Sequence, residues 1–236
     1  MTDPFTPGSG VTQLVLQSRV GSTRYPGKAL ADIAGRPLQE RVMMRLEVLH
    51  PGPYILALPD TAANDPLEEI GRKRGWLVFR GSESDVLGRF AGAVRAFRLT
   101  RVVRATADNP LVDPAAMSGV CLALADHECV GTHGFSHGAA VEGASGDALL
   151  RAAEEATDPY EREHVMPHFY RHPEIYATTY VDAPASSRYQ QSFTVDTAND
   201  VERVRSVFAA LGDMPELADV EAYLSRRQSV VVGNLT

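Results

Sequence analysis

Three cations, Arg19, Arg24 and Lys28, share one short segment with Gly21, Ser22, Thr23, Pro26 and Gly27. An arginine fork holds two phosphate oxygens at once and a lysine acts as a point charge, so the mixture suits a polyphosphate better than a single carboxylate. Gly21 and Gly27 let backbone N–H groups approach a ligand closely, and Ser22 and Thr23 add hydroxyl donors. Gln17 and Ser18 open the segment directly after Leu14-Val15-Leu16, an apolar run short enough for a buried strand. A strand that runs straight into such a loop reads as a triphosphate cradle; the alternative is a surface turn with solvated bases. No Ser or Thr follows Lys28, so the segment is not G-x-x-x-x-G-K-[ST], and it is not G-x-G-x-x-G. P-loop ATPases and dinucleotide enzymes are poor fits.

Acids follow at two distant places. In Thr106-Ala107-Asp108-Asn109-Pro110-Leu111-Val112-Asp113-Pro114, Asp108 comes just after the apolar run 102–105, where a carboxylate is costly unless it meets a cation. It is expected to ligate a metal, while Asp113 before Pro114 reads as a helix N-cap. Asp196 precedes Thr197-Ala198-Asn199-Asp200, a capping-box-like helix start that accounts for Thr197 and Asp200 and leaves Asp196 facing the same edge as Asp108. Two carboxylates with waters suit Mg²⁺. His127, Cys129, His133 and His137, with Glu128, match no zinc spacing. His164, His168 and His172 fall on one helical face, but Pro167 kinks any helix between the first two, and a polar face is the simpler explanation.

These residues need a scaffold, and the patterning supplies one. Buried strands are expected at 54–58, 76–79 and 102–105, with helices between them: Leu38, Val42, Leu46 and Leu49 on one face, a helix from Asn64-Asp65-Pro66 to Gly75, then Leu87, Phe90, Val94 and Phe97. That alternation implies βαβ units and a parallel sheet. The polar clusters 17–28, 58–65, 80–89 and 106–113 each follow a strand, so they should gather along one sheet edge, where ligands of open α/β folds sit. Beyond them, 125–146 reads as irregular and helices are expected at 145–157 and 158–168. Ile175 to Val181 reads as an antiparallel or edge strand, 188–195 as a return toward the sheet, and 217–227 as a final helix before an edge segment at 230–236.

The chain has 236 residues and 44% hydrophobic content, enough for one domain with a sizeable core. A net charge of −7, from 23 basic and 30 acidic residues, argues against nucleic acid as the partner. Two cysteines make no disulfide framework, and no signal peptide or membrane span is evident, which leads to the expectation of a cytoplasmic protein. Residues 1–10 read as a mobile leader and 11–236 as a single domain.

The pattern Q-x-R-x-G-S-T-R-x-P-G-K at 17–28 resembles the signature loop of the CMP-sugar synthetase group of cytidylyltransferases, which includes the 3-deoxy-manno-octulosonate and acylneuraminate enzymes; the spore-coat polysaccharide branch is nearest. The resemblance implies an α/β fold, a three-layer Rossmann-like (GT-A-like) nucleotidyltransferase with a mixed, mostly parallel sheet and a small dimerisation and acceptor arm. It implies a CTP-dependent enzyme that works with Mg²⁺ at Asp108 and Asp196, with Arg19, Arg24, Lys28 and Asp108 as catalytic residues. Gln17, Ser18, Gly21, Ser22, Thr23, Thr106 and Ala107 are expected to contact the nucleotide, with base and ribose contacts from Ala57, Leu58, Ser82 and Arg89.

The segment at 107–114 is similar to the family's G-D-x-P-L-I-D-P, with Ala107 for Gly, and 195–201 to V-D-T-P-E-D-L, with Ala198 for Pro. Where spore-coat-type members carry Gly-Leu-Asp-x-Glu, this chain reads Gly138-Ala139-Ala140-Val141-Glu142. Residues 162–168 resemble R-E-H-V-T-P-Y, the arm over the acceptor, so the resemblance implies an acceptor and dimer subregion at about 127–190. Glu142, Arg162 and His164 are therefore the expected acceptor contacts, and a homodimer is implied. The resemblance implies a small anionic acceptor, an ulosonic acid by default or a phosphonate such as phosphonoformate. The alternatives are a sugar-1-phosphate nucleotidyltransferase using another triphosphate and a non-catalytic nucleotide- or metal-binding protein.

Overall fold

The computed structural model describes residues 10–233, with side chains to residue 227. Of the expected leader only Gly10 falls within that range.

Seven strands form one sheet: β1 (Gln13–Gln17), β2 (Tyr54–Pro59), β3 (Leu77–Gly81), β4 (Arg101–Thr106), β5 (Cys129–His133), β6 (Glu142–Ser145) and β7 (Thr178–Asp182). Their order is β3-β2-β1-β4-β6-β5-β7, and β6 alone runs against its neighbours. The first four strands match the sequence expectation closely. Nine α-helices accompany them among the described residues: α1 (Leu38–Leu49), α2 (Asp65–Lys73), α3 (Val86–Phe97), α4 (Pro114–Ala123), α5 (Gly146–Glu155), α6 (Pro159–His164), α7 (Met166–Arg171), α8 (Ala198–Leu211) and α9 (Leu217–Gly233).

Alternation along the strands builds three layers. Val15, Ile55 and Ala57 point to one face and pack with Phe90 of α3, Leu149 of α5 and Phe169 of α7. Leu14, Leu16, Leu56 and Leu58 point to the other, against Val42 and Leu46 of α1, Leu67 of α2 and Met117 of α4. A third cluster joins Leu38 and Leu111 to Val204, Phe208 and Val220, fixing α8 and α9 beside the sheet. All these side chains are essentially excluded from solvent.

Three expectations need correction. The segment 125–146 is not irregular but carries β5 and β6, whose glycines hide them from propensity. A Cβ on Gly131 would lie 2.7 Å from the Tyr180 ring and one on Gly143 2.6 Å from Leu124, so close packing demands Gly in both strands. Ile175 to Val181, expected as an antiparallel or edge strand, supplies the edge strand β7, which pairs parallel with β5. Residues 188–195 join no strand ladder of the sheet; their backbone bonds to loops instead, Phe193 N to His137 O and Val195 N to Asp108 O. Finally, α9 continues to Gly233 where an edge segment was expected, and residues 234–236 lie outside the described residues.

Candidate active site

The C-terminal end of β1 opens into the 18–28 loop. Gly27 adopts φ +77, a left-handed conformation that favours glycine, and its N–H bonds Val20 O at 2.9 Å, closing the loop. From behind, the buried Asn64 accepts from Val20 N at 2.9 Å and donates to Thr61 Oγ1 at 2.8 Å. Its side chain therefore braces the cation-bearing loop and does not cap α2, which begins after it.

Closing the loop turns Lys28 inward. Its Nζ donates to Asp108 Oδ2 at 2.9 Å, Asp196 Oδ1 at 2.8 Å and Val195 O at 2.9 Å, which uses all three ammonium protons. Arg24 Nη2 lies 2.9 Å from Asp196 Oδ2, and Arg19 Nη2 lies 3.3 Å from Glu163 Oε1 of α6. Burial pushes the Asp108 carboxyl up, but the Lys28 charge and the Thr106 hydroxyl outweigh it and hold the group below the ordinary carboxylate range. Asp108 and Asp196 are hard oxygen donors gathered around one cation. That donor set fits Mg²⁺, which takes one or two carboxylates together with substrate phosphates.

Asp196 reaches this place because the 193–196 segment crosses Gly138 at close range. A Cβ there would lie 2.7 Å from the Phe193 carbonyl carbon, and Gly138 has φ +85. The Thr197–Asp200 capping box then fixes the exit, and Asp200 Oδ2 also accepts from Asp196 N at 3.1 Å.

The loop and both acids line a cavity of about 710 Å³. Its floor holds Arg104, a residue that sequence reasoning passed over. Arg104 stands opposite Glu142 on the antiparallel β4–β6 pair. It donates from Nη1 to Glu142 Oε2 at 2.6 Å and from Nε to Gln17 Oε1 at 3.0 Å. Tyr170 OH donates to the other Glu142 oxygen at 2.7 Å; burial foremost, then the Glu142 charge, keep that phenol protonated. The available signal was a lone charge inside Val102-Val103-Arg104-Ala105, since a charge in an apolar strand must be paired.

Toward α3, the wall contains Arg89 and Ser18, both buried, with Arg89 Nε and Ser18 Oγ lacking hydrogen-bond partners. Burial, reinforced by Arg19, lowers the Arg89 guanidinium to about 10.

Of the expected site residues, Gln17, Ser18, Arg19, Ser22, Thr23, Arg24, Lys28, Arg89, Thr106, Ala107, Asp108, Glu142, His164 and Asp196 line this cavity. Gly21, Ala57, Leu58, Ser82 and Arg162 do not. Ala57 and Leu58 lie inside β2 and are fully buried in opposite faces of the sheet. Ser82 is spent on the turn before α3, its Oγ accepting from Asp85 N at 3.1 Å and its carbonyl from Arg89 at 2.7 Å. Arg162 is spent on Ala153 O, Ala156 O and Asp85 Oδ2. No residue of the cluster 58–65 lines the cavity, and Asn64 acts on it only through its bond to Val20 in the loop.

The cavity wall also includes Glu163 and His164, at the end of α6. The expected break in this helix falls at Val165, two residues before Pro167, which sits in the first turn of α7. Val165 has φ +69, a conformation that costs a β-branched residue roughly 1–3 kcal/mol and that its complete burial maintains.

Comparison with known proteins agrees with this geometry. The cytidylyltransferase family profile matches residues 14–223. The chain is 29% identical over 216 residues to the spore coat polysaccharide biosynthesis protein SpsF of Bacillus subtilis, covering 88% of this chain and 90% of that one. It is 29% identical over 194 residues to a 3-deoxy-manno-octulosonate cytidylyltransferase of Idiomarina loihiensis, covering 70% and 73%. Among solved structures, a cytidylyltransferase from Leptospira borgpetersenii superposes with a TM-score of 0.82 at 24% identity, over 93% of this chain and 95% of that one, and so shares the fold. The chain belongs to the cytidylyltransferase family of CTP-using nucleotidyltransferases.

Proposed function

We propose that this protein transfers CMP from CTP to a small anionic acceptor and releases pyrophosphate, with Mg²⁺ held by Asp108 and Asp196. The observation that carries this is the convergence of Arg24 and Lys28 with both acids on one cavity wall. Asp108 and Asp196 would hold the Mg²⁺, which would supply charge neutralisation and a lower pKa for the attacking oxygen.

The chain's own residues do the rest. The acceptor oxygen attacks the α-phosphorus in line, the bond to the bridging oxygen breaks, and pyrophosphate leaves with the electron pair while the acceptor proton passes to water. Arg19, Arg24 and Lys28 stabilise the negative charge that grows on the leaving oxygens. For that, each cation exchanges its present carboxylate partner for phosphate, so the loop enters the reaction with its charges already oriented. Ser18 and Arg89, which line the same cavity, contact the nucleoside.

The acceptor end is built around Arg104. Gln17 and Glu142 occupy Nε and one proton of Nη1, leaving Nη2 to a carboxylate or phosphonate oxygen. Glu142 thus acts by orienting Arg104. The acceptor is an ulosonic acid or a small phosphonate such as phosphonoformate. A homodimer belongs to the proposal, and sedimentation equilibrium tests it.

The deciding experiment measures pyrophosphate release from each of the four nucleoside triphosphates with panels of ulosonates, phosphonates and sugar 1-phosphates. Release with CTP and an ulosonate or phosphonate is expected. Release with UTP or dTTP and a sugar 1-phosphate would transfer the assignment to the alternative nucleotidyltransferase.

A further inference from the structure

Across the break between α6 and α7 lies a cluster that the nucleotide site does not use. Glu161 and His168 are buried, and His172 caps the C-terminus of α7 at a partly exposed position. One ligand atom from each lies within 4.8 Å of the other two. His164 is not part of this group; it turns to the cavity and packs against Tyr160.

We propose that Glu161, His168 and His172 form a binding site for a transition-metal cation of the Zn²⁺ class, separate from the nucleotide site. Two imidazoles and one carboxylate are the donor set that Zn²⁺ prefers, and a poor one for Mg²⁺. Around a tetrahedral ion with bonds of about 2.1 Å, neighbouring ligand atoms stand roughly 3.4 Å apart. The Glu161 Oε2 to His168 Nδ1 distance, 2.8 Å, need open only slightly, and His172 is at a helix end where it can swing inward. Glu161 Oε1 keeps its bond from Arg171 at 3.1 Å, so only Oε2 is needed for the metal.

The surroundings complete the site. When His168 Nδ1 binds the ion, its proton moves to Nε2, which lies 3.3 Å from Tyr176 OH; that hydroxyl donates to Glu155 Oε2 at 2.7 Å. This is the outer-shell support a ligating histidine requires, and here it comes from groups already in place. The nearby acids Glu155, Asp158 and Glu174 balance the charge of a cation bound to one carboxylate and two neutral rings. Because Glu161 lies before Val165 and the histidines after it, the ion clamps the strained turn that directs Glu163 and His164 into the cavity.

The test uses the full chain stripped of metal with EDTA and titrated with Zn²⁺ and, separately, with Co²⁺ as a spectroscopic probe. One Zn²⁺ per chain, a raised Tm and intense tetrahedral Co²⁺ bands in the visible are expected for the wild type and for Asp108→Asn, which isolates the site from the nucleotide metal. His172→Gln should bind Zn²⁺ at least about a hundredfold more weakly while keeping the wild-type metal-free Tm. Absence of the Co²⁺ bands in the wild type, their loss in Asp108→Asn, or undiminished Zn²⁺ affinity in His172→Gln would each overturn the proposal. Should His172→Gln not fold, the wild-type and Asp108→Asn spectra still decide it.

Discussion

Asp108 and Asp196, brought together from opposite halves of the chain, accept hydrogen bonds from the same Lys28 ammonium at 2.9 and 2.8 Å. The lysine therefore keeps two carboxylates close together that would otherwise repel one another. Lys28→Ala should abolish turnover and destabilise the fold by about 2 kcal/mol in metal-free urea unfolding, less than for a fully buried pair because both acids retain some exposure. Mg²⁺ should then recover more stability in Lys28→Ala than in the wild type, since it takes the place of the missing cation. Equal Mg²⁺ effects in both proteins would count against a shared cation position.

Gly138 governs how closely the 193–196 segment approaches. Gly138→Ala places a methyl against the Phe193 carbonyl in a left-handed backbone conformation, so the segment must retreat. Turnover should fall at least about tenfold while far-UV circular dichroism stays native, because the strain is local and the displaced group is Asp196. Wild-type turnover in this variant would show that the position of Asp196 is not critical.

The Arg104–Glu142–Tyr170 chain predicts a divided kinetic response. Arg104→Gln removes a charge-assisted contact of about 1.5–3 kcal/mol, so KM for the acceptor should rise at least about tenfold with KM for CTP unchanged. Tyr170→Phe loosens Glu142 only and should produce the same pattern at a few-fold. Equal increases for both substrates would mean that the network supports the whole cavity and not the acceptor end.

Much of this was legible in the sequence because its signals are local. Gln17 to Lys28 announces a loop after a strand, Asp113 before Pro114 announces a cap, and Thr197 with Asp200 announces another; both caps form as expected. The strands β5 and β6 were not legible, because Gly131 and Gly143 are dictated by Tyr180 and Leu124 packing from elsewhere in the chain. The partners of Arg162 were not legible for a related reason. A motif gives a residue its place along the helix, whereas its partners Ala153, Ala156 and Asp85 belong to the tertiary structure.

His50 supplies a pH signature remote from the site. Burial lowers its imidazole from 6.5 to about 4, and its Nδ1 accepts from Gly52 N while Nε2 meets Thr12 Oγ1. The folded state thus holds the ring neutral, whereas the unfolded chain protonates it below about pH 6.5. Its contribution is complete above that value and is lost as pH falls toward 4, up to about 3 kcal/mol in all. Urea unfolding at pH 7.5 and pH 5 should show a smaller loss in His50→Asn than in the wild type; identical losses would assign the acid sensitivity elsewhere.

The most direct test of the central claim is CTP binding by isothermal titration calorimetry with and without Mg²⁺, in the wild type, Asp108→Asn and Asp196→Asn. The wild type should bind CTP more tightly when Mg²⁺ is present, and each single substitution should remove most of that gain without unfolding the protein. A Mg²⁺ effect of undiminished size in both variants would contradict a nucleotide metal site built from these two acids.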